Sequence, residues 1–395
     1  MRIIQNYNDA DLKKMLQEIK VDPYGNNIMR PKADFYLVKI NSLACIAANI
    51  LKQEMLSLGA DAAVAKDSIS GMIKSTDCLL MANFTQLKLL NEKLKHQPFG
   101  LNKLAKDLAS ALENYRKDKF ILDLGKYKLN LSQRTYIMGI VNITTDSFSG
   151  DGLYHKTKDI IKYAEDLSKQ GADIIDVGGE SSRPGAKSIP VKEELRRVIP
   201  VIKKLVKKIG VPISVDTYKP EVAEQALDNG ATIVNDITGL SDKLMRKVAA
   251  RYKAAVVIMH MQGTPRSMQK DPHYESLIDE IIDYLGKAVD RAMEAGIDRD
   301  KIIIDPGIGF GKTLDHNLEI LKKLKEFKTL GMPILVGTSR KSFIGKILNA
   351  QPQERLFGTI SSCVLASLNS ANILRVHDVK AVRDALKISD KIIKQ

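Results

Sequence analysis

The stretch Met138-Gly-Ile-Val-Asn-Ile-Thr-Thr-Asp-Ser-Phe-Ser149 decides the architecture. Its apolar half, with the two residues before it, predicts a strand over Tyr136–Val141 that runs directly into polar residues from Asn142. In parallel α/β folds, chemistry sits where strands end and loops begin. Asn142 then holds the last rigid position, as an uncharged oxygen ligand or hydrogen-bonding group. Thr144, Thr145, Asp146 and Ser147 follow on the loop. Taken alone, the stretch is equally a turn that leads into a helix cap.

The same unit recurs after it. Predicted strands are Tyr136–Val141, Ile174–Val177, Ile213–Val215, Ile233–Asn235, Ala255–Met259, Ile302–Asp305, Ile334–Gly337 and Ile373–Val376. Between and after them, helical periodicity marks Lys158–Gln170, Lys192–Lys208, Glu221–Asn229, Asp242–Tyr252, Leu277–Ala295, Asp315–Phe327, Gln353–Leu368 and Lys380–Lys394. Eight such repeats predict an α/β chain built on a (β/α)8 TIM barrel, with a doubly wound open sheet as the alternative. Upstream, Phe120–Leu131 alternates apolar and polar residues around Gly125-Lys126, the pattern of a β-hairpin that could plug the bottom of the barrel. Residues 1–116 form a smaller α/β extension. Strands are expected at Phe35–Ile40, Asp61–Ala65 and Cys78–Met81, and helices at Ser42–Leu58, Thr85–His96 and Leu101–Tyr115. No ligand motif is visible there. Residues 117–395 carry the hairpin and the barrel.

Composition excludes several classes. The 395 residues are 44% hydrophobic and 27% charged, as in ordinary soluble proteins. There is no long apolar run and no signal-peptide core near Met1, so a cytoplasmic location without membrane contact is expected. Cys45, Cys78 and Cys363 are widely spaced in apolar surroundings and read as buried thiols. The net charge of +14 is spread over lysine-rich helical faces, and no nucleic-acid-binding signature accompanies it, so no nucleic-acid partner is expected.

A barrel directs the C-terminal ends of its strands to one mouth. Those ends read Asn142; Asp176 through Gly185; Asp216-Thr217; Asn235-Asp236; Met259-His-Met-Gln262; Asp305 through Lys312; Gly337 through Ser342; and Arg375-Val-His377. Singly, each is as well explained by a turn or a cap, Asp146, Asp236 and Thr217 in particular. Together they are more polar than a barrel needs for stability. Asp216, Asn235, Asp305 and Lys341 suit a planar, nitrogen-rich ring, because a carboxylate accepts two parallel N–H bonds. Met259 can lie against such a ring. Asn142, Arg183, Arg375 and His377 suit a phosphate or diphosphate with Mg²⁺. Gly307, Gly309 and Gly311 read as a tight turn that lets the backbone approach the site.

These stretches resemble, in order, the motifs of the dihydropteroate synthases. The match runs from the opening stretch through Asp176–Ala186, Ile213–Thr217, Val234–Ile237, Met259–Gln269, Asp305–Lys312 and Gly337–Ser342 to Arg375–Val379, over about residues 118–395. The resemblance implies condensation of 6-hydroxymethyl-7,8-dihydropterin diphosphate with 4-aminobenzoate, a step of folate biosynthesis. It implies that Asp216, Asn235, Asp305 and Lys341 hold the pterin, with Met259 beside it. Asn142 helps place Mg²⁺, the implied cofactor, and Arg375 and His377 hold the diphosphate. Ser182, Arg183, Pro184, Phe310, Lys341 and Ser342 line the aminobenzoate pocket. Asp216, Asp305, Lys341 and Arg375 are the catalytic set, with Asp151 as the loop acid. That acid stands one position later than in the usual pattern, within Ser149-Gly-Asp-Gly152. Thr145 replaces a usual Pro and Ser182 a usual Thr. Small-molecule substrates and a homodimer follow as expected partners, the latter through apolar positions in Ile360–Leu368 and Ala385–Ile393. Two other readings stand beside this one: a methyltransferase acting on methyltetrahydrofolate, and a non-catalytic pterin-binding protein. The Ser181–Gly185 run and the pair Arg375 and His377 favour the synthase.

Overall fold

Strand alternation builds the molecule's main core. The computed structural model describes residues 2–4, 9–143, 157–181 and 188–393. The chain divides into two units, Met1–Glu113 and Asn114–Gln395.

In the first unit, α1 (Asp9–Glu18) and α2 (Pro23–Ala33) precede β1 (Phe35–Ala44), α3 (Cys45–Ser57), β2 (Asp61–Val64), β3 (Ser75–Asn83), α4 (Phe84–Leu94) and α5 (Leu101–Arg116). The three strands form an antiparallel sheet in the order β1-β3-β2. Leu51, Met55, Leu80, Leu87, Leu90 and Leu108 fill its core. Two expectations are corrected here. Ser42–Ala44 end β1 rather than opening α3, because Leu43 and Ala44 pair with Thr76 and Ser75 beyond a register shift. The helices α1 and α2 were not anticipated; neither buries a residue, and α2 carries Pro31 within it, a residue that argues against a helix.

The second unit begins with a hairpin, β4 (Ile121–Asp123) and β5 (Lys128–Asn130). The strands β6 (Tyr136–Asn142), β7 (Ile174–Gly178), β8 (Ile213–Asp216), β9 (Ile233–Asp236), β10 (Ala255–Met259), β11 (Ile302–Asp305), β12 (Leu335–Val336) and β13 (Ile373–Val376) follow. They form one parallel sheet in the order β11-β10-β9-β8-β7-β6-β13-β12. A parallel bridge between Ile304 and Ile334 joins its two ends, and the Ile304 N–H donates to the Pro333 carbonyl at 3.0 Å. The sheet is therefore a barrel rather than an open doubly wound sheet.

Successive side chains of a strand face opposite ways. Here Ile137, Val141, Ile175, Val177, Val215 and Val256 face outward onto the helices. Met138, Ile174, Ile233, Val257, Ile303, Leu335 and Ile373 face inward and pack on Phe120, Leu122, Leu124 and Leu131 of the hairpin. The hairpin closes the N-terminal end of the barrel, as its alternation suggested. The inward row then turns polar toward the other end.

The surrounding helices are α6 (Thr157–Lys169), α7 (Val191–Leu205), α8 (Pro220–Asp228), α9 (Lys243–Arg251), α10 (Leu277–Glu294), α11 (Leu314–Lys322), α12 (Ser342–Leu348), α13 (Leu356–Leu368) and α14 (Val379–Ile393). The helices depart from expectation in these places. The helix expected over Asp315–Phe327 ends at Lys322 and continues as the 3-10 segment Leu324–Leu330. The helix expected from Gln353 begins at Leu356, after a 3-10 turn. The short α12 was missed. Among the described residues, no helix is long and apolar enough to cross a membrane. All three cysteines are buried and free.

Candidate active site

Register places the polar strand ends in one ring. Asn142 pairs with Gly178, Gly178 with Asp216, and Asp216 with Asn235; Met259 pairs with Asp305. At the centre lies Arg375. Its Nε donates to Asp176 Oδ2 and a terminal nitrogen donates to Asp216 Oδ2, each at 2.6 Å. Asn235 donates its amide to the same Asp176 oxygen at 3.2 Å. Asp176 was quoted in the sequence motif but given no role. The signal for it was present: counting by two from inward-facing Ile174 brings Asp176 to the inner face.

This cluster is hard to ionise fully. Burial lifts Asp216 to about 7, Arg375 pulls it down, and Asp176 and Glu194 push it up again. Burial opposes the charge on Arg375, but Asp176 and Asp216 more than offset this and raise it above its ordinary value. Asp305 is lifted to about 6 by burial, against the Gly307 N–H that donates to its Oδ1 at 2.7 Å and against Lys341. Lys341 is lowered to about 8 by burial and by Arg375, while Asp305 and Asp216 oppose the change. Three groups that titrate near neutrality thus face one mouth, as ligand sites often do.

The loop after β11 needs its glycines. Gly307 has φ +73°, and a Cβ there would lie 1.9 Å from the His260 carbonyl oxygen. Gly311 has φ +61°, with Gln262 O 2.7 Å from the same imagined atom. This is the tight turn read from the sequence. It places Phe310 under the Lys341 ammonium, 4.1 Å from the ring centroid. Phe310 also packs with Met259, Met261, Met268 and Ile237, an apolar wall beside the polar ring. Lys312, unassigned from sequence, is buried and lies 2.9 Å both from His260 Nδ1 and from the Phe310 carbonyl that accepts from it. Burial lowers Lys312 to about 7, and burial with the Lys312 charge keeps His260 neutral at ordinary pH.

The remaining positions fall as follows. His377 Nδ1 lies 3.0 Å from Ser339 Oγ. Ser342 is exposed at the N-terminus of α12. Asp236 caps its own loop through the Thr238 N–H and hydroxyl, both at 2.7 Å, and Thr217 accepts from the Lys219 N–H at 3.2 Å. Both are turn residues. Asp151, Ser182, Arg183 and Pro184 lie outside the described residues.

For magnesium, the relevant donors are Asn142 Oδ1 and Asp216 Oδ2. Both lie 3.5 Å from a Cβ built on Gly178, so they approach one point above that glycine. Among the described residues, no group of three or more His, Cys, Asp or Glu side chains could cage a metal. One amide oxygen and one shared carboxylate fit Mg²⁺, which takes most of its ligands from water and phosphates.

Residues 138–377 match the model of the family described as "Pterin binding enzyme". A dihydropteroate synthase of Synechocystis sp. is 45% identical over 273 residues, 69% of this chain and 94% of that one. A probable bifunctional folylpolyglutamate synthase/dihydropteroate synthase of Halobacterium salinarum is 39% identical over 389 residues, 96% of this chain and 46% of that one. Similarity to that protein thus reaches into the N-terminal unit. The crystal structure of Yersinia pestis dihydropteroate synthase with a sulfonamide drug superimposes with a TM-score of 0.68 and 39% identity, covering 70% of this chain and all of that one.

Proposed function

The chain belongs to the pterin-binding enzyme family and carries out the dihydropteroate synthase condensation, and we propose how its residues divide that work. Asp176, Asp216, Asn235, Asp305 and Lys341 receive the pterin, with Met259 against its ring. The Asp176–Arg375–Asp216 bridge is the observation that supports this most. It holds carboxylate acceptors at fixed spacing beside a cation, at the mouth where the register gathers the strand ends. Arg375 and His377 bind the diphosphate. Asn142 with Asp216 would hold Mg²⁺, and the ion would supply positive charge beside the diphosphate. Phe310, Lys341, Ser342, Ser182, Arg183 and Pro184 meet the aminobenzoate, and Asp151 acts as the loop acid.

The chemistry asks little of a strong base. The C–O bond to the diphosphate breaks with its electron pair going to the leaving group, and Arg375 stabilises that charge. The carbon left behind is conjugated with an electron-rich pterin, so positive charge spreads over the ring. Asp216 and Asp305 face that charge. The neutral aromatic amine then forms the C–N bond to that carbon, and its proton passes to the released diphosphate or to water. Asp216→Asn keeps the shape and removes the charge; kcat/KM should fall by several orders of magnitude, and a near-normal rate would refute the assignment.

We also propose a homodimer through α13 and α14. Phe357 is 78% exposed and Ile388 66%, and Leu365, Leu368 and Ile392 are exposed too. Such an apolar face on a soluble protein marks an interface.

A further inference from the structure

The loop after β11, residues 306–312, carries Gly307, Gly309 and Gly311 at positive φ. Glycine has the widest backbone freedom, so side-chain bonds must set the shape of such a loop. They do so at successive groups. The Gly309 N–H donates to Asn317 Oδ1 of α11 at 2.6 Å, and the Gly309 carbonyl accepts from Gln269 Nε2 at 2.9 Å. The Phe310 carbonyl accepts from Lys312 Nζ at 2.9 Å, and the Gly311 carbonyl from the Tyr274 hydroxyl at 2.8 Å.

Lys312 is the least expected of these donors. It is 3% exposed, and both partners of its Nζ, the Phe310 carbonyl and His260 Nδ1, are neutral. Neither offsets the water the amine has lost as a contacting carboxylate would, so stability alone does not ask for a lysine here. The second partner ties the loop to the neighbouring strand. His260 directly follows β10, and its N–H donates to the Asp305 carbonyl at 2.9 Å. Its ring meets Tyr284 of α10 edge-on, with centroids 4.9 Å apart at 86°, and the Tyr284 hydroxyl donates to the Thr238 carbonyl at 3.1 Å. Lys312 therefore joins the loop to a side chain that is itself held in place.

What rests on this loop is Lys341. A Cβ built on Gly309 would lie 3.1 Å from Lys341 Cδ, so the aliphatic stem crosses that glycine closely. The ammonium stands 4.1 Å from the centre of the Phe310 ring. Stem and head of Lys341 thus lie on the two residues whose carbonyls Gln269 and Lys312 hold.

We propose that Lys312 is a positioning residue for Lys341: by holding the Phe310 carbonyl and His260 together, it fixes the seat on which the Lys341 side chain lies. The proposal rests on the reading that places Lys341 against the substrates. Lys312 acts through that residue and needs no contact of its own with substrate.

The test is a double-mutant cycle on the full chain, read as kcat/KM for 4-aminobenzoate in diphosphate release at saturating pterin diphosphate. Lys341→Met alone should lose about a hundredfold. Lys312→Met leaves two buried acceptors unpaired and loosens the seat, so it should lose about tenfold in the wild-type background. In the Lys341→Met background the same change should lose less than about threefold, because the group it positions is gone. Tyr274→Phe removes one neutral bond from the loop and should lose about threefold alone and nothing measurable in the Lys341→Met background. It decides the matter if Lys312→Met does not fold. A packing defect would cost the same in both backgrounds, so equal losses overturn the proposal, as does Lys312→Met within about twofold of wild type. A flat Lys341→Met removes the reading of that residue and the proposal with it.

Discussion

Replacing Arg375 by alanine removes the counter-charge that Asp176 and Asp216 share. Both carboxylates accept from it at 2.6 Å, and the arginine side chain is only 18% exposed. Breaking a buried ion pair from one side costs about 3–5 kcal/mol. One correction lowers that figure. Asp216 is already lifted to about 7, and without Arg375 it rises further and stays protonated at neutral pH. The uncompensated charge is then mainly Asp176, whose Oδ2 keeps Asn235 and whose Oδ1 has no hydrogen-bond partner. The cost near pH 7 is therefore at the lower end, about 3 kcal/mol. For a unit of this size that is a fall in Tm of roughly 6–9 °C. The sign with pH follows. A carboxyl raised in the folded state contributes stability at low pH and loses it as pH climbs through its folded pKa. The deficit of Arg375→Ala should shrink toward pH 5 and grow toward pH 9. Activity should fall further than stability, on the order of 10³-fold in kcat/KM, as when an arginine facing transferred phosphate is lost. Thermal unfolding at three pH values and a diphosphate-release assay measure both. A variant within about 2 °C of wild type at pH 8, with kcat/KM within about tenfold, would refute the reasoning.

Other outcomes follow from the same geometry. kcat/KM should climb through an acid limb as Asp305 and Asp216 ionise at about 6 and about 7, and decline as Lys341 loses its proton at about 8; a profile flat from pH 5 to 9 contradicts these environments. Apo-protein stability should move the other way across the acid limb, since raised carboxyls favour the folded state below their folded pKa. Gly307→Ala puts a methyl group where the His260 carbonyl already stands, at a positive φ, so it should cost about 3 kcal/mol or more, read by denaturant unfolding; wild-type stability would contradict the turn. Phe357→Glu should shift the sedimentation coefficient to that of a monomer if α13 and α14 form the dimer, and an unchanged value would rule that face out.

The barrel was legible because its period is rigid. Alternation within each strand separates helix-facing from interior residues, and the polar end of each inward row could be read by counting. Asn142, Asp216, Asn235, Asp305 and Arg375 emerged that way. Other features were hidden for physical reasons. The helices α1 and α2 bury no residue, and Pro31 inside α2 argues against a helix there. At seven residues, α12 is shorter than two turns and is masked by the motif it continues. The contact between Lys312 and His260 spans 52 positions, a distance at which sequence carries no pairing signal.

Diphosphate release tests the central claim most directly. The full chain is supplied with 6-hydroxymethyl-7,8-dihydropterin diphosphate and Mg²⁺, with and without 4-aminobenzoate. The account predicts sustained diphosphate release with dihydropteroate formed in equal amount only when both substrates are present. No release with both, or equal release from the pterin diphosphate alone, would contradict it.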